Sequence, residues 1–450
     1  MRVVIVGAGK VGYILAQRLS EENHDVIVIE NNEERRGIVE STLDVMTIQG
    51  NGASPALLLD PQIRDSDLMV AVTDSDEINM IACMAAKQAG FKRTIARIRS
   101  QEYAEQDRLK LNESLGIYLT INPEMVTAIE ISRILLTPAA LDVEEFADGQ
   151  VRMIEVKITP DSKLINQPLK SLRLPPHILA AGILRRDRML IPHGSDMILA
   201  NDCVFFVGEY SAIKKFEDSF MVRKSKVERV MIIGAGRIGR HLAAILEKSG
   251  ISVKVIDKNQ ERCQELAKQL KNGLVLCGDG TDFDLLSEEG VGKADAVICL
   301  TDDDKLNLLL ALIAKHIGAE KTFVRVGRSE YVSLMEKVGV DVVLSPRLLT
   351  AGVILRQVRR SEIVSVALLE GAKAEAMEII VAAHSPVAFK KIRDAKLPRD
   401  SLIGSIVRKK KMIIPNGKSV LEPGDRVVIF ALPDTVPAVV KLFENKPGSK

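Results

Sequence analysis

Tryptophan is absent from this 450-residue chain, and aromatic residues make up only 4% of it. Few side chains are therefore available as stacking platforms for bases or sugars. An excess of one charge is also lacking: Lys and Arg number 62 against 60 Asp and Glu, a net charge of +2. No global electrostatic argument for nucleic acid exists. The longest candidate for a membrane span, Leu306 to Ala314, is about half of what a bilayer-spanning helix needs. The start, MRVVIVGAGK, has one basic residue and no small-residue cleavage site, so no secretory leader is expected. Cysteine is scarce: Cys83, Cys203, Cys263, Cys277 and Cys299 show no CxxC spacing. The odd count and lack of pattern fit reduced thiols in a cytosolic protein, buried as small hydrophobes. The six histidines show no metal spacing, and no GxSxG, Walker-type or HExxH motif occurs.

A twofold repeat is present instead. RVVIVGAGKVGYILAQRL at the start returns as RVMIIGAGRIGRHLAAIL from Arg229. TDSDEIN from Thr73 returns as TDDDKLN from Thr301, and TIARIRSQEY from Thr94 as TFVRVGRSEY from Thr322. MLIPHGSDMILANDCVFFVG from Met189 returns as MIIPNGKSVLEPGDRVVIFA from Met412. The length alone predicts three or four domains at about 100–200 residues each. The repeat orders them as large, small, large, small.

Each large part alternates strand and helix. Strands are expected at Val3–Val6, Asp25–Ile29, Val45–Gln49, Leu68–Val72 and Thr94–Ile98. Their repeats are Val230–Ile233, Ser252–Ile256, Leu274–Leu276, Ala296–Leu300 and Thr322–Val326. Helices are expected at Val11–Leu19 and at Ile81–Ala89, the latter closed by Gly90. Such alternation means βαβ units and a parallel, doubly wound, Rossmann-like α/β sheet. Pro123–Leu136 and Pro346–Val358 read as helices with Pro in the first turn. Each leads toward a small α+β module of short, mostly antiparallel strands. The expected boundaries are 1–122 and 229–345 for the sheet domains, 123–139 and 346–362 for the crossover helices, and 140–222 and 363–450 for the modules. The polar stretch 223–228 is the expected linker.

GAGKVG places Gly7, Gly9 and Gly12 between a strand and a helix. Gly7 permits the tight turn, Gly9 lets backbone approach a pyrophosphate, and Gly12 lets the helix pack against the strand. The helix N-terminus supplies unpaired N–H groups. GAGRIG repeats this with Gly234, Gly236 and Gly239. Glu30 and Asp257 each end the second strand, 18 residues past the last motif glycine. A carboxylate there accepts ribose hydroxyls and repels a 2′-phosphate, which favours NAD(H) or adenosine nucleotides over NADP(H). Lys10 and Arg237 inside the motifs, and Arg97 and Arg325 at the end of the fifth strand, are read as phosphate contacts, with solvated surface cations as the alternative. Thr73-Asp74 and Thr301-Asp302 suit either helix N-capping or nucleotide contact. Asn51 and Asp279, in the loops QGNG and CGDG, are assigned to the adenine side. Asp302, Asp303 and Asp304 could hold Mg²⁺, but consecutive turn residues seldom converge on one ion. The runs Arg185–Arg188 and Arg408–Lys411 read as solvated hairpin tips or edge protection, with an acidic or membrane surface as the sharper alternative.

With these motifs in hand, the chain resembles the TrkA family: peripheral regulatory subunits of bacterial Trk potassium uptake systems, built from tandem RCK N-terminal and C-terminal domains. The resemblance rests on both glycine motifs with their acids, the TDxDxxN segments, the Arg97 and Arg325 strands, and the IPxG segments. It implies a non-enzymatic subunit on the cytoplasmic face of the cell membrane, forming a dimer or tetramer ring beneath a Trk-type potassium-translocating membrane subunit. It implies NAD(H) and ATP or ADP as ligands. The pyrophosphate loops then comprise Gly7, Ala8, Gly9, Lys10 and Val11, and Gly234, Ala235, Gly236, Arg237 and Ile238. Two other readings stand beside it: a ligand-sensing regulator of a different cation transporter, and an NAD-dependent dehydrogenase. The second lacks an evident proton donor facing a nicotinamide.

Overall fold

The computed structural model describes residues 1–104, 111–136, 143–186, 188–220, 227–358, 363–369, 373–409 and 411–444. Residues 223–226 of the expected linker, the crossover ends at 137–139 and 359–362, and Asp187 and Lys410 of the basic runs lie outside the described residues.

Apolar runs that have no polar face must be covered on both sides. Val3 to Val6 and Leu68 to Ala71 meet that demand, each residue at most 1% exposed. They form the centre of a six-stranded sheet: β1 (Arg2–Val6), β2 (Asp25–Glu30), β3 (Met46–Gln49), β4 (Leu68–Ala71), β5 (Arg93–Arg97) and β6 (Leu119–Ile121). The order is β3-β2-β1-β4-β5-β6, and every pairing is parallel. The order reverses beside β1, where ligands of such sheets lie.

A five-stranded antiparallel sheet follows: β7 (Val143–Phe146), β8 (Val151–Lys157), β9 (Ile178–Arg185), β10 (Arg188–Leu190) and β11 (Cys203–Glu209), in the order β10-β9-β11-β8-β7. The second half repeats both sheets. Its parallel sheet comprises β12 (Arg229–Ile233), β13 (Ser252–Asp257), β14 (Leu274–Cys277), β15 (Ala296–Cys299), β16 (Thr322–Arg325) and β17 (Val342–Leu344). Its antiparallel sheet comprises β18 (Ile363–Leu369), β19 (Ala374–Ile380), β20 (Ser401–Arg408), β21 (Lys411–Ile413) and β22 (Arg426–Ala431). The fold is thus α/β with two Rossmann-like domains, each followed by a small α+β module.

Three features of these sheets, helices and hairpins differ from the sequence reading. Each parallel sheet has six strands, not five; β6 and β17 are three residues long and carry too little pattern to be seen. The helix expected at Ile81–Ala89 spans Asp76–Gln88, because Ser75 caps it by accepting from the Ile78 amide at 3.2 Å. Gly90 (φ +94°) does follow its end. The first arginine of each basic run is not a solvated tip residue. Arg185 grips buried Asp202 with two nitrogens, at 2.9 and 2.8 Å, and Arg408 grips Asp425 likewise, at 2.7 Å twice. Asp202 and Asp425 are 2% and 1% exposed, so these pairs are internal staples.

Contacts divide the chain into two units. One contains both parallel-sheet domains (Met1–Ser132 and Val227–Leu355); the other contains both modules (Arg133–Lys226 and Arg356–Lys450). Within the second unit the modules share one core, in which Phe146, Met153 and Phe205 pack with Ala376, Val428 and Phe430. Among the described residues, no helix is long and apolar enough to cross a membrane.

Candidate functional site

Each glycine motif is shaped by backbone limits. Gly7 and Gly234 have φ of +99° and +115°, a region that a Cβ disfavours. A Cβ on Gly12 would lie 1.9 Å from the Gly7 carbonyl oxygen, and one on Gly239 would lie 2.0 Å from that of Gly234. Only glycine lets the helices Lys10–Glu21 and Arg237–Lys248 sit this close to the turn. Gly9 and Gly236 are different: each is the N-cap of its helix, has ordinary φ (−64°), and has nothing within 4 Å of a would-be Cβ. Neither helix has a side-chain cap. The open space over first-turn amides is what an anion requires.

Glu30 and Asp257 close this cradle from the neighbouring strand. Glu30 Oε2 accepts from the Ala8 amide at 2.6 Å and Oε1 from the Asn32 amide at 2.9 Å. Asp257 accepts from Ala235 at 2.6 Å and from Asn259 at 2.8 Å. Both acids are under a tenth exposed. Each oxygen keeps a further lone pair for a ribose hydroxyl.

The far wall is built by residues that sequence reasoning did not single out. Asn79 and Asn307 are fully buried. The Asn79 side chain accepts from the Thr73 amide (2.9 Å) and donates to the Arg97 carbonyl (2.8 Å). Asn307 makes the same bonds to Thr301 (2.9 Å) and Arg325 (3.0 Å). Each asparagine therefore ties the end of the fourth strand to the end of the fifth. The guanidinium groups of Arg97 and Arg325 reinforce the tie by donating to the Thr73 and Thr301 carbonyls at 3.1 and 2.9 Å. Their contacts with Asp74 and Asp302, both at 3.4 Å, are looser and exposed on the acid side. The duplicated TDxDxxN spacing was the signal for this staple.

The capping reading of Thr73-Asp74 and Thr301-Asp302 is corrected. The N-caps are Ser75 and Asp303, and the Thr73 and Thr301 hydroxyls turn to Asn79 and Asn307 at 2.7 Å. The three acids at 302–304 take separate tasks. Asp302 meets Arg325; Asp303 caps the helix Asp304–Ile317; Asp304 accepts from the Gly327 and Arg328 amides at 2.7 and 3.1 Å. The first-turn amides hold the Asp303 carboxyl below its ordinary value. Among the described residues, no cluster of three or more His, Cys, Asp or Glu could hold a metal ion.

In the second half these parts line one cleft of about 890 Å³, which brings together Gly234, Gly236, Arg237, Ile238, Asp257, Asp279, Thr301, Asp302 and Arg325. Asp279 accepts from the Thr281 amide (2.9 Å) and hydroxyl (2.8 Å), and these bonds lower its pKa. The matching Asn51 accepts from the Ala53 amide at 3.0 Å. Lys10 is exposed at the start of its helix. The second cleft also contains two residues of the first half, Arg99 and Glu124. Arg99 pairs with Glu124 at 2.7 Å, and Arg237 approaches the same carboxylate at 3.8 Å. Their repeat positions in the second half hold Gly327 and Arg347, so this feature is not duplicated.

The fold and its paired cradles define a class: tandem Rossmann-like domains alternating with small antiparallel modules. The chain belongs to the TrkA family. The TrkA-N domain matches residues 3–123 and 230–346, and the TrkA-C domain matches residues 153–221 and 376–444. The Trk system potassium uptake protein TrkA homolog 1 of Methanosarcina mazei is 39% identical, over 99% of this chain and all of that one. The Trk system potassium uptake protein TrkA of Vibrio alginolyticus is 37% identical, over 99% of each. Among solved structures, the GsuK channel bound to NAD superposes with a TM-score of 0.63 at 18% identity, covering 98% of this chain and 78% of that one. The GsuK RCK domain gives 0.62 at 19%, covering 98% and 94%. These two establish likeness of fold. The family is one of regulatory subunits in potassium uptake, not of enzymes.

Proposed function

We propose that the chain is the nucleotide-sensing regulatory subunit of a Trk-type potassium uptake system, binding NAD(H) and ATP or ADP in its two cradles. It works at the cytoplasmic face of the cell membrane, as part of a homo-oligomeric ring against a potassium-translocating membrane subunit. The domain division set out above serves this reading, with ligands in 1–122 and 229–345. The observation that carries it is the duplicated cradle. In both halves a buried carboxylate holds the glycine-loop amide at 2.6 Å beside an uncovered helix N-terminus.

The pyrophosphate rests on the amides after Gly9 and Gly236. Glu30 and Asp257 accept the ribose hydroxyls, and Lys10 and Arg237 meet the phosphates. Asn51 and Asp279 face the adenine side. The halves differ at Lys10 against Arg237 and at Asn51 against Asp279, which gives them different nucleotide preferences. No bond is broken. The ligand acts by its differential affinity for two states of the assembly. A full switch needs about 5 kcal/mol, which several sites share at about 1 kcal/mol each.

The test is rubidium uptake in cells lacking this chain, rescued with wild type or with the Glu30→Ala, Asp257→Ala variant. Wild type restores uptake, and the folded variant does not. Unchanged uptake after deletion, in cells with no redundant system, overturns the potassium assignment. Sustained NADH oxidation by the purified protein at enzyme-like rates would overturn the non-enzymatic mechanism.

A further inference from the structure

The second half carries a pair of thiols that the first half lacks. Cys263 lies on the helix Gln260–Gln269, and Cys277 ends β14. Their repeat positions hold Arg36 and Gln49. Cys277 is paired in register with Asp257, the acid of the cradle. Alternation along paired parallel strands puts the side chains of Asp257 and Cys277 on one face of the sheet. The Cys263 thiol donates to the Asp257 carbonyl at 3.2 Å and lies 3.6 Å from the carbonyl of Leu276, the residue before Cys277. The Cys277 thiol also helps to raise the pKa of Cys263, so the two groups interact. Cys277 is exposed and Cys263 is buried.

We infer that Cys263 and Cys277 form a reversible disulfide that loosens the second nucleotide cradle. The ligand consequence rests on the function proposed above; the disulfide itself does not. The oxidant is a hydroperoxide. The exposed Cys277, as thiolate, attacks one peroxide oxygen; the O–O bond breaks, and a sulfenic acid forms with release of the alcohol, or of water from hydrogen peroxide. Cys263 Sγ then displaces the sulfenic oxygen; the S–S bond forms and water leaves with the Cys263 proton. Two thiols are oxidised, and one peroxide is reduced. Roles are set by access: burial pushes the Cys263 thiol up to about 11, which suits a resolving partner rather than the first nucleophile. Cys83 and Cys299 are fully buried, with thiols pushed up by burial, and stay out of the reaction.

The structural consequence follows from shared hydrogen bonds. The Asp257 carbonyl accepts both the Cys263 thiol and the Gly278 amide, the latter at 3.0 Å. Bond formation removes the first donor and draws Cys277 toward the helix, carrying Gly278 and Asp279 with it. The backbone that aims the Asp257 carboxylate at Ala235 loses its support.

The experiment treats the full chain with hydrogen peroxide and maps peptides by mass spectrometry. Amide exchange of residues 278–281 and NAD⁺ binding are followed before and after. Expected are a Cys263–Cys277 cross-link that is absent in Cys277→Ser, faster exchange at 278–281 reversed by dithiothreitol, and at least threefold weaker NAD⁺ binding at the second site. Separate oxidation of Cys277 with no cross-link overturns the inference. So does a cross-link that leaves 278–281 exchange unchanged. A protein that binds no nucleotide before oxidation, yet forms the cross-link and shows the exchange change after it, refutes the nucleotide reading and leaves the thiol switch standing.

Discussion

At the residue scale, the glycines of one motif have opposite jobs, and substitution separates them. Gly12→Ala or Gly239→Ala drives a Cβ into a backbone carbonyl at about 2 Å. Neither helix nor turn can yield without losing the motif, and overpacking of this kind costs about 1–3 kcal/mol or more. Thermal unfolding will show a clear loss in both variants. Gly9→Ala and Gly236→Ala meet empty space and ordinary φ. They keep wild-type unfolding and lose nucleotide binding, as calorimetry will report; a stable Gly9→Ala, Gly236→Ala protein with full binding refutes the phosphate position. The spacing of these glycines was legible in the sequence because it follows local backbone geometry. Asn79 and Asn307 were not singled out, because their worth lies in linking strands β4 and β5, or β15 and β16, across the sheet.

At the element scale, isolated asparagines and ion pairs hold strand ends in place. Asn307→Ala leaves the Thr301 amide and the Arg325 carbonyl without their partner. Each buried group left unsatisfied costs about 1–3 kcal/mol. Chemical denaturation will show destabilisation in that range, greater than for exposed Asn272→Ala. In the modules, Asp425→Ala strands Arg408 and removes a carboxylate that is 1% exposed. Breaking a buried pair from one side costs about 3–5 kcal/mol. If Asp425→Ala and Asp202→Ala unfold at wild-type denaturant concentration, the staples are ornamental. The sequence showed these arginines as part of a basic run. Only the hairpin register, which sets Arg408 across from Lys411 and beside the 422–425 turn, shows that they point inward.

At the scale of the whole molecule, the two parallel-sheet domains belong to one unit, and a histidine where they meet makes its stability depend on pH. His241 stands on the helix Arg237–Lys248 and lines a second cleft, of about 490 Å³, with Asp76 and Arg99 of the first half. Burial pushes its pKa below 6.5; Arg240 adds to the effect and Glu124 opposes it. The folded chain therefore binds fewer protons than the unfolded chain just below pH 6.5. Stability from this group is present above 6.5 and is lost as pH falls through 6.5 toward the lower folded value. His241→Gln will flatten that part of the stability profile. An unaltered profile between about pH 7.5 and 5.5 would show that His241 titrates alike in both states.

The sequence by itself determined the α/β class, the tandem order, the paired glycine motifs and the two acids. All of these follow from periodicity, local backbone geometry and a repeat that can be checked against itself. Only the tertiary structure decided how the chain closes around those motifs. Three-residue edge strands carry no readable period. Which neighbour an aspartate chooses among three in a row depends on where the amides of β16 end. The reach of Arg99 and Glu124 into the 890 Å³ cleft of the second half joins positions more than a hundred residues apart in the chain, and no spacing rule records a contact made by the packing of one domain on another.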